Sequence, residues 1–190
     1  MRKLLTCAAL LICASNQSNA QHSSKVKQGG NAFSASLSTV VENFQNNYLQ
    51  IQGEMLPSDP DRNIFQSTVL LPGASKCVIY RFHSKQDSSA SWQALLYSGE
   101  DYAAAAKTYK QAFKQTKQTK FKTGIVNNSF EGTYLEPSED LLFTTSILRT
   151  TAEGELYKHF MAEIEIINTM EGWTVQLNLH SRKEDTDRFN

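Results

Sequence analysis

Two stretches near the end of the chain do most to limit its fold. Between residues 157 and 167, Phe160, Ala162, Ile164 and Ile166 alternate with the polar Glu163 and Glu165. Between residues 173 and 180, Trp173, Val175, Leu177 and Leu179 alternate with Thr174, Gln176 and Asn178. Successive side chains of a strand point to opposite faces, so this period of two predicts strands with one apolar and one wet face, the antiparallel pattern. Five further runs read as strands, at residues 65–71, 77–83, 91–97, 130–135 and 141–148. Pro72-Gly73 supplies a turn between the first two, and residues 85–90 form a polar loop before the third.

Two helices are expected. Phe33, Leu37, Val40, Val41, Phe44, Tyr48 and Ile51 recur at helical spacing, and Glu42, Asn43, Asn46 and Asn47 fall off that stripe. The prolines and short polar side chains of Pro57-Ser58-Asp59-Pro60-Asp61 predict a loop after it. The second stripe is Tyr102, Ala105, Ala106, Tyr109, Phe113 and Thr116, with Ser98 placed as its N-cap and fraying expected at residues 120–124.

A constant offset of 65 residues, the step from Leu37 to Tyr102, aligns the two halves without a gap. Val40, Val41, Phe44 and Tyr48 fall on Ala105, Ala106, Tyr109 and Phe113, while Phe65, Thr68, Leu70 and Pro72 fall on the identical residues Phe130, Thr133, Leu135 and Pro137. The expectation is a tandem α-β-β-β repeat, residues 33–97 and 98–167, plus a final strand at 173–180. Each helix has one apolar stripe and each strand one apolar face. The fold class is therefore α+β, a two-layer sandwich with an antiparallel sheet and both helices on one face.

The N-terminus reads as a signal peptide over residues 1–20. Arg2 and Lys3 precede an apolar run from Leu4 to Ala14, and Ser18 and Ala20 place cleavage before Gln21. The run is shorter than the roughly 20 apolar residues a membrane span needs. Lipid attachment at Cys13 is disfavoured by the bulky Ile12 before it. The expected location is periplasmic or extracellular, with residues 21–32 as a leader, 33–181 as one domain and 182–190 as a tail. Cys7 and Cys13 would leave with the signal, so Cys77 stands alone and reads as a small buried strand residue. The whole chain carries 19 basic and 19 acidic residues. So balanced a charge gives no global field that would steer it to nucleic acid or an anionic membrane.

The signal, the Leu71-Pro72-Gly73 turn before Cys77-Val78-Ile79, and the tyrosine- and lysine-rich segment from Tyr102 to Lys120 together resemble a loose group of uncharacterised exported proteins from Bacteroidota. That resemblance implies no activity, cofactor or partner. The element order is also similar to the chaperone folds of bacterial secretion systems, a likeness of fold that implies no function.

Lys107, Lys110, Lys114 and Lys117 recur every three or four residues and form a basic stripe on the second helix. They would serve either as a docking strip for an acidic partner or as an ordinary solvated face. His83, His159 and His180 lie in expected strands. A four-residue loop at residues 168–171 would set His159 opposite His180 on the wet face, a pair suited to zinc or copper but short of the further ligands a metal site needs. Glu163 and Glu165 share a face and could divide acid and base roles, yet nothing in the sequence buries them or raises their pKa. Asp59-Pro60-Asp61 lacks the spaced ligands of a calcium loop. The chain has no Gly-x-Ser-x-Gly, no His-Glu-x-x-His and no glycine-rich phosphate loop.

These readings point to no catalytic residue and no cofactor. The function expected first is an exported, non-catalytic binding or adaptor module that meets a protein or envelope component through the sheet face with Glu163, Gln176 and Asn178, or through the lysine strip. An extracytoplasmic, hydrolase-like enzyme assembled from distant residues is the alternative. A holdase-like chaperone is a further one, and it calls for an exposed apolar patch of several hundred Å².

Overall fold

The computed structural model describes residues 29–59, 61–82 and 90–182. The expected signal peptide, the leader up to residue 28, His83, the loop after it and the tail from residue 183 lie outside the described residues. Helix α1 (Gly29–Asn43) is followed by two 3-10 turns and four strands, β1 (Gln52–Asp59), β2 (Arg62–Ser67), β3 (Lys76–Phe82) and β4 (Ala90–Gly99). Helix α2 (Tyr102–Gln118) is followed by β5 (Lys120–Thr123), β6 (Val126–Gly132), β7 (Phe143–Thr150) and β8 (Phe160–Thr169), and β9 (Gly172–Ser181) ends the order. The nine strands among the described residues form one sheet in the order β1-β2-β3-β4-β9-β8-β7-β6-β5, every neighbour antiparallel. The last strand thus enters the centre of the sheet, and each half of the chain builds one wing beside it.

Both helices pack on one face, giving a two-layer α+β fold. Leu37, Val40 and Val41 of α1 and Ala105, Tyr109, Ala112 and Phe113 of α2 share one core with Ile79, Trp92, Ile164, Leu177 and Leu179 of the sheet. Burial of this apolar surface is the main stabilising term. Aromatic rings bridge the layers: Phe44 stacks at 4.3 Å on Phe160, which continues through Phe130 to Phe121. Two buried polar contacts fix the orientation of large core rings. The Trp92 indole N–H donates to Ser67 Oγ at 3.0 Å, and the Tyr109 hydroxyl lies 2.6 Å from Ser146 Oγ.

The first helix is shorter than its apolar stripe. It ends at Asn43, and Asn47 and Tyr48 then take left-handed conformations, φ 52° and 59°. Asparagine tolerates that region, whereas a bulky tyrosine there is held only by its surroundings. Tyr48 is fully buried, with its hydroxyl donating to Leu179 O at 3.3 Å. Asn47 accepts from Arg81 through its carbonyl and from the Ala90 N–H through its side chain, both at 2.7 Å. Phe44, Tyr48 and Ile51 remain buried, because the reversed chain returns the same residues to the same core.

The second helix starts later than expected. Its N-cap is Asp101, whose carboxylate accepts from Ala104 N–H, while Ser98 lies in β4. Strand β4 is carried that far by pairing of Gly99 with Trp173. Gly172, with φ 104°, sits where a Cβ would meet Gly99 O at 2.6 Å, so this close approach requires glycine. Strands β1 and β5 replace the expected loop and the expected fraying, so each half holds four strands where three were read. Both are edge strands of mostly polar sequence, which the period-two pattern does not flag. Bulges and Pro57 on β1, and Lys120 and Lys122 on the four-residue β5, blunt these edges against further pairing.

Cys77 is buried in β3 and its sulfur accepts from Leu71 N–H at 3.4 Å. Burial pushes its thiol pKa up, which leaves little thiolate to react. No helix among the described residues is long and apolar enough to cross a membrane.

Candidate functional site

No helix among the described residues covers the second face of the sheet, and its centre forms a groove. Four adjacent strands, β3, β4, β9 and β8, supply the floor. Their register puts Gln93, Asn178 and Glu163 in one cross-strand row, and Leu95, Gln176 and Glu165 in the next. Tyr80 stands beside Ser91 across β3 and β4. These residues alternate with the buried Ile79, Trp92, Leu177 and Ile164, so the packing of the core on one side fixes their positions on the other. Arg62 and Phe82 complete one wall, and the groove encloses about 240 Å³.

A directed chain of hydrogen bonds crosses the floor. Tyr80 OH donates to Gln93 Oε1 at 3.0 Å, and Gln93 Nε2 donates to Asn178 Oδ1 at 2.8 Å. Asn178 Nδ2 then donates to Glu165 Oε2 at 2.6 Å, and Gln176 Nε2 reaches the same oxygen at 2.7 Å. Bonds to an ionised acceptor are the stronger kind, so Glu165 anchors both amides. The guanidinium of Arg62 lies 4.9 Å from the centre of the Tyr80 ring, a cation–π contact.

Glu163 and His180 form a second cluster in the groove. Glu163 Oε2 is 3.0 Å from His180 Nε2, with side chains 13% and 20% exposed. The distance is that of an ion pair, but the alignment is not that of a hydrogen bond, and the buried Nε2 has no directed partner. The neighbouring imidazole, aided by the charge of Arg182, holds the Glu163 carboxyl below the usual carboxylate range, and burial opposes that effect. Glu163 is therefore half-buried on a face that reads as wet in the sequence, but its pKa moves down, the opposite of what a general acid needs.

The expected pairing of the two histidines is corrected by the register. The β8–β9 hairpin closes with Thr169 opposite Gly172, which leaves a two-residue turn, Met170-Glu171, in place of four residues. The Thr169 hydroxyl donates to Gly172 O and accepts from Glu171 N–H, which ties that shorter turn. Met161 therefore stands opposite His180. His159 lies before the strand, where its carbonyl accepts from Arg182 N–H. No three His, Cys, Asp or Glu side chains converge to hold a metal ion among the described residues.

The lysine strip lies in the helical layer, away from the groove. Lys107, Lys110, Lys114 and Lys117 are all exposed. Two of them are engaged by their own chain. Lys117 donates to Gly132 O at 3.0 Å, while Lys110 is 4.0 Å from Glu136 and 5.6 Å from the Tyr134 ring centre. The structure thus joins Glu163, Gln176 and Asn178 and leaves the lysines apart. Sequence reasoning missed Arg62, Tyr80, Phe82, Ser91 and Gln93. For Ser91 and Gln93 a signal existed, since both alternate with the apolar Trp92 and Ala94. Tyr80 and Phe82 are aromatic residues on the strand-like run 77–83, whose apolar residues Val78 and Ile79 fall on both faces, so no alternation marks the open one.

An apolar tip lies at one end of the sheet. Leu141, Leu142, Phe143 and Met170 are exposed there, and the backbone joins the two segments through Leu142 O and Asn168 N–H.

No family model, curated protein or solved structure matches this chain. The resemblances to exported Bacteroidota proteins and to secretion chaperones therefore gain no named neighbour.

Proposed function

We propose that the chain is an exported, non-catalytic binding module that meets a protein or envelope component with the uncovered face of its sheet. The observation that carries this reading is the hydrogen-bonded relay from Tyr80 through Gln93 and Asn178 to Glu165. Polar side chains tied to one another before a ligand arrives lose less freedom on binding. The exposed Phe82 beside the groove, and Phe143 and Ile147 farther out on β7, add apolar contact area around that polar centre. Export itself rests on the N-terminal sequence alone.

The test compares capture from envelope extracts by the native chain, by Gln93→Trp, which fills the groove, and by Lys107→Glu with Lys114→Glu on the helical layer. The expected result is loss of the specific partner with the groove variant only. Capture that ignores the groove variant and disappears with the lysine variants would move the interface to α2.

A hydrolase-like reading has one specific observation in its favour. Ser91 lines the groove that also holds the adjacent His180 and Glu163. An ester- or glycoside-cleaving activity that survives purification and is abolished by both Ser91→Ala and His180→Ala would establish it over simple binding.

A further inference from the structure

The hydrogen-bond inventory of the groove goes further than its shape and selects among ligand chemistries. The Tyr80 hydroxyl gives its proton to Gln93. Gln93, Asn178 and Gln176 each give one amide N–H within the relay, and each amide carries two. One donor therefore remains on each of three amides. Acceptors remain beside them: Gln176 Oε1, and carboxylate lone pairs on Glu163 and Glu165 beyond the contacts described. Cross-strand neighbours on one face are about 5 Å apart, so donors and acceptors alternate over a short span.

Few groups satisfy both kinds. An ammonium or guanidinium brings donors only and leaves the three amide N–H groups unmatched. A phosphate or carboxylate brings acceptors only and would face Glu163 and Glu165. A hydroxyl both donates and accepts, and a ring with neighbouring hydroxyls does so repeatedly. Charge agrees with this choice, because the two carboxylates share the groove with the Arg62 guanidinium, so charges of both signs line it. Size agrees too. A volume of about 240 Å³ lies below the 300–1,000 Å³ usual for drug-sized ligands, so one ring fills it. Phe82, 46% exposed at the wall, offers an apolar surface to the C–H face of such a ring.

We infer that the groove binds a neutral saccharide unit, held by Gln93, Gln176, Asn178, Glu163 and Glu165, with Phe82 against its apolar face. This rests on the binding-module reading and names its ligand class. The occupant is one sugar ring, the size that the volume allows.

The test is titration of the isotopically labelled full chain, followed by NMR of its side-chain amides. The probes are neutral trisaccharides of glucose, galactose and N-acetylglucosamine, with spermidine as the amine and inorganic phosphate as the anion. The expected result is that one trisaccharide shifts the side-chain signals of Gln93, Gln176 and Asn178, and that neither ion does. Glu165→Ala and Gln176→Ala should each weaken that binding about 10-fold, the order expected for loss of one hydrogen bond to a charged or buried group. Lys114→Ala should leave it unchanged. Two variants guard against misfolding of either. Shifts caused by spermidine or phosphate in place of sugar, or sugar-induced shifts confined to other residues, would overturn the saccharide class. If no probe binds while Gln93→Trp still abolishes capture of an envelope protein, the saccharide inference falls and the binding module stands. If that variant is silent as well, both fall.

Discussion

The two faces of the sheet are built by the same strands and obey different rules. On the covered face, Ile164, Leu177, Leu179 and Trp92 are sealed beneath the helices. On the open face, one residue along each strand, Gln93, Asn178, Gln176 and Glu165 bond to one another. The covered face holds the molecule together by excluded water, which is indifferent to direction. The open face is held by directed bonds, which specify where each polar atom points. The contrast teaches that stability and recognition can be loaded onto alternate residues of one strand, so either can change without the other.

That separation can be broken or sharpened by substitution. The largest effect belongs to the covered face. Leu177→Ala should cost about 3 kcal/mol in denaturant unfolding, by lost transfer energy and a residual cavity. Gln176→Ala, its neighbour on the open face, should stay below about 1 kcal/mol in the same measurement. Equal losses for the two would erase the proposed division. Next is Tyr109→Phe, which removes the hydroxyl 2.6 Å from Ser146 Oγ in the core and should cost about 1–2 kcal/mol by thermal or urea unfolding. A neutral result there would show that the buried bond contributes no net stability.

A smaller effect should appear with pH on the open face. The Glu163 carboxyl is held below the usual range in the folded chain. Its contribution to stability is present above the ordinary carboxylate value, about 4.3, and is lost as pH falls through the lower folded value. Glu163→Gln should therefore flatten the fall in stability below about pH 4, read from melting temperature across an acid series. An acid profile identical to that of the native chain would remove the His180 imidazole as the cause. The smallest effect should be Lys114→Ala, within about 0.5 kcal/mol, since this exposed lysine makes no ion pair among the described residues. A larger loss would give the lysine strip a structural role.

Much of this was legible in the chain itself. The alternation in residues 160–166 and 173–179 determined two strands with one buried face, and the stripes from Phe33 and Tyr102 determined two amphipathic helices. Periodicity depends only on local geometry, so it survives without knowledge of neighbours. The same alternation marked Glu163, Gln176 and Asn178 as a shared outer face.

Register and neighbourhood were decided by the tertiary structure. Whether His180 meets His159 or Met161 turns on two residues of a hairpin loop, settled by the Thr169 hydroxyl and by the approach of Gly172 to Gly99. The groove needs β4, with β3 behind it, beside β9, a strand more than 70 residues further along the chain, and no local pattern specifies that adjacency. Edge strands β1 and β5 form because a sheet is already present to pair with, not because their own residues favour it. The sequence determined which side of each strand is apolar, by a rule acting between adjacent residues. Only the packed sheet decided which polar side chains meet, because that depends on contacts between segments far apart in the chain.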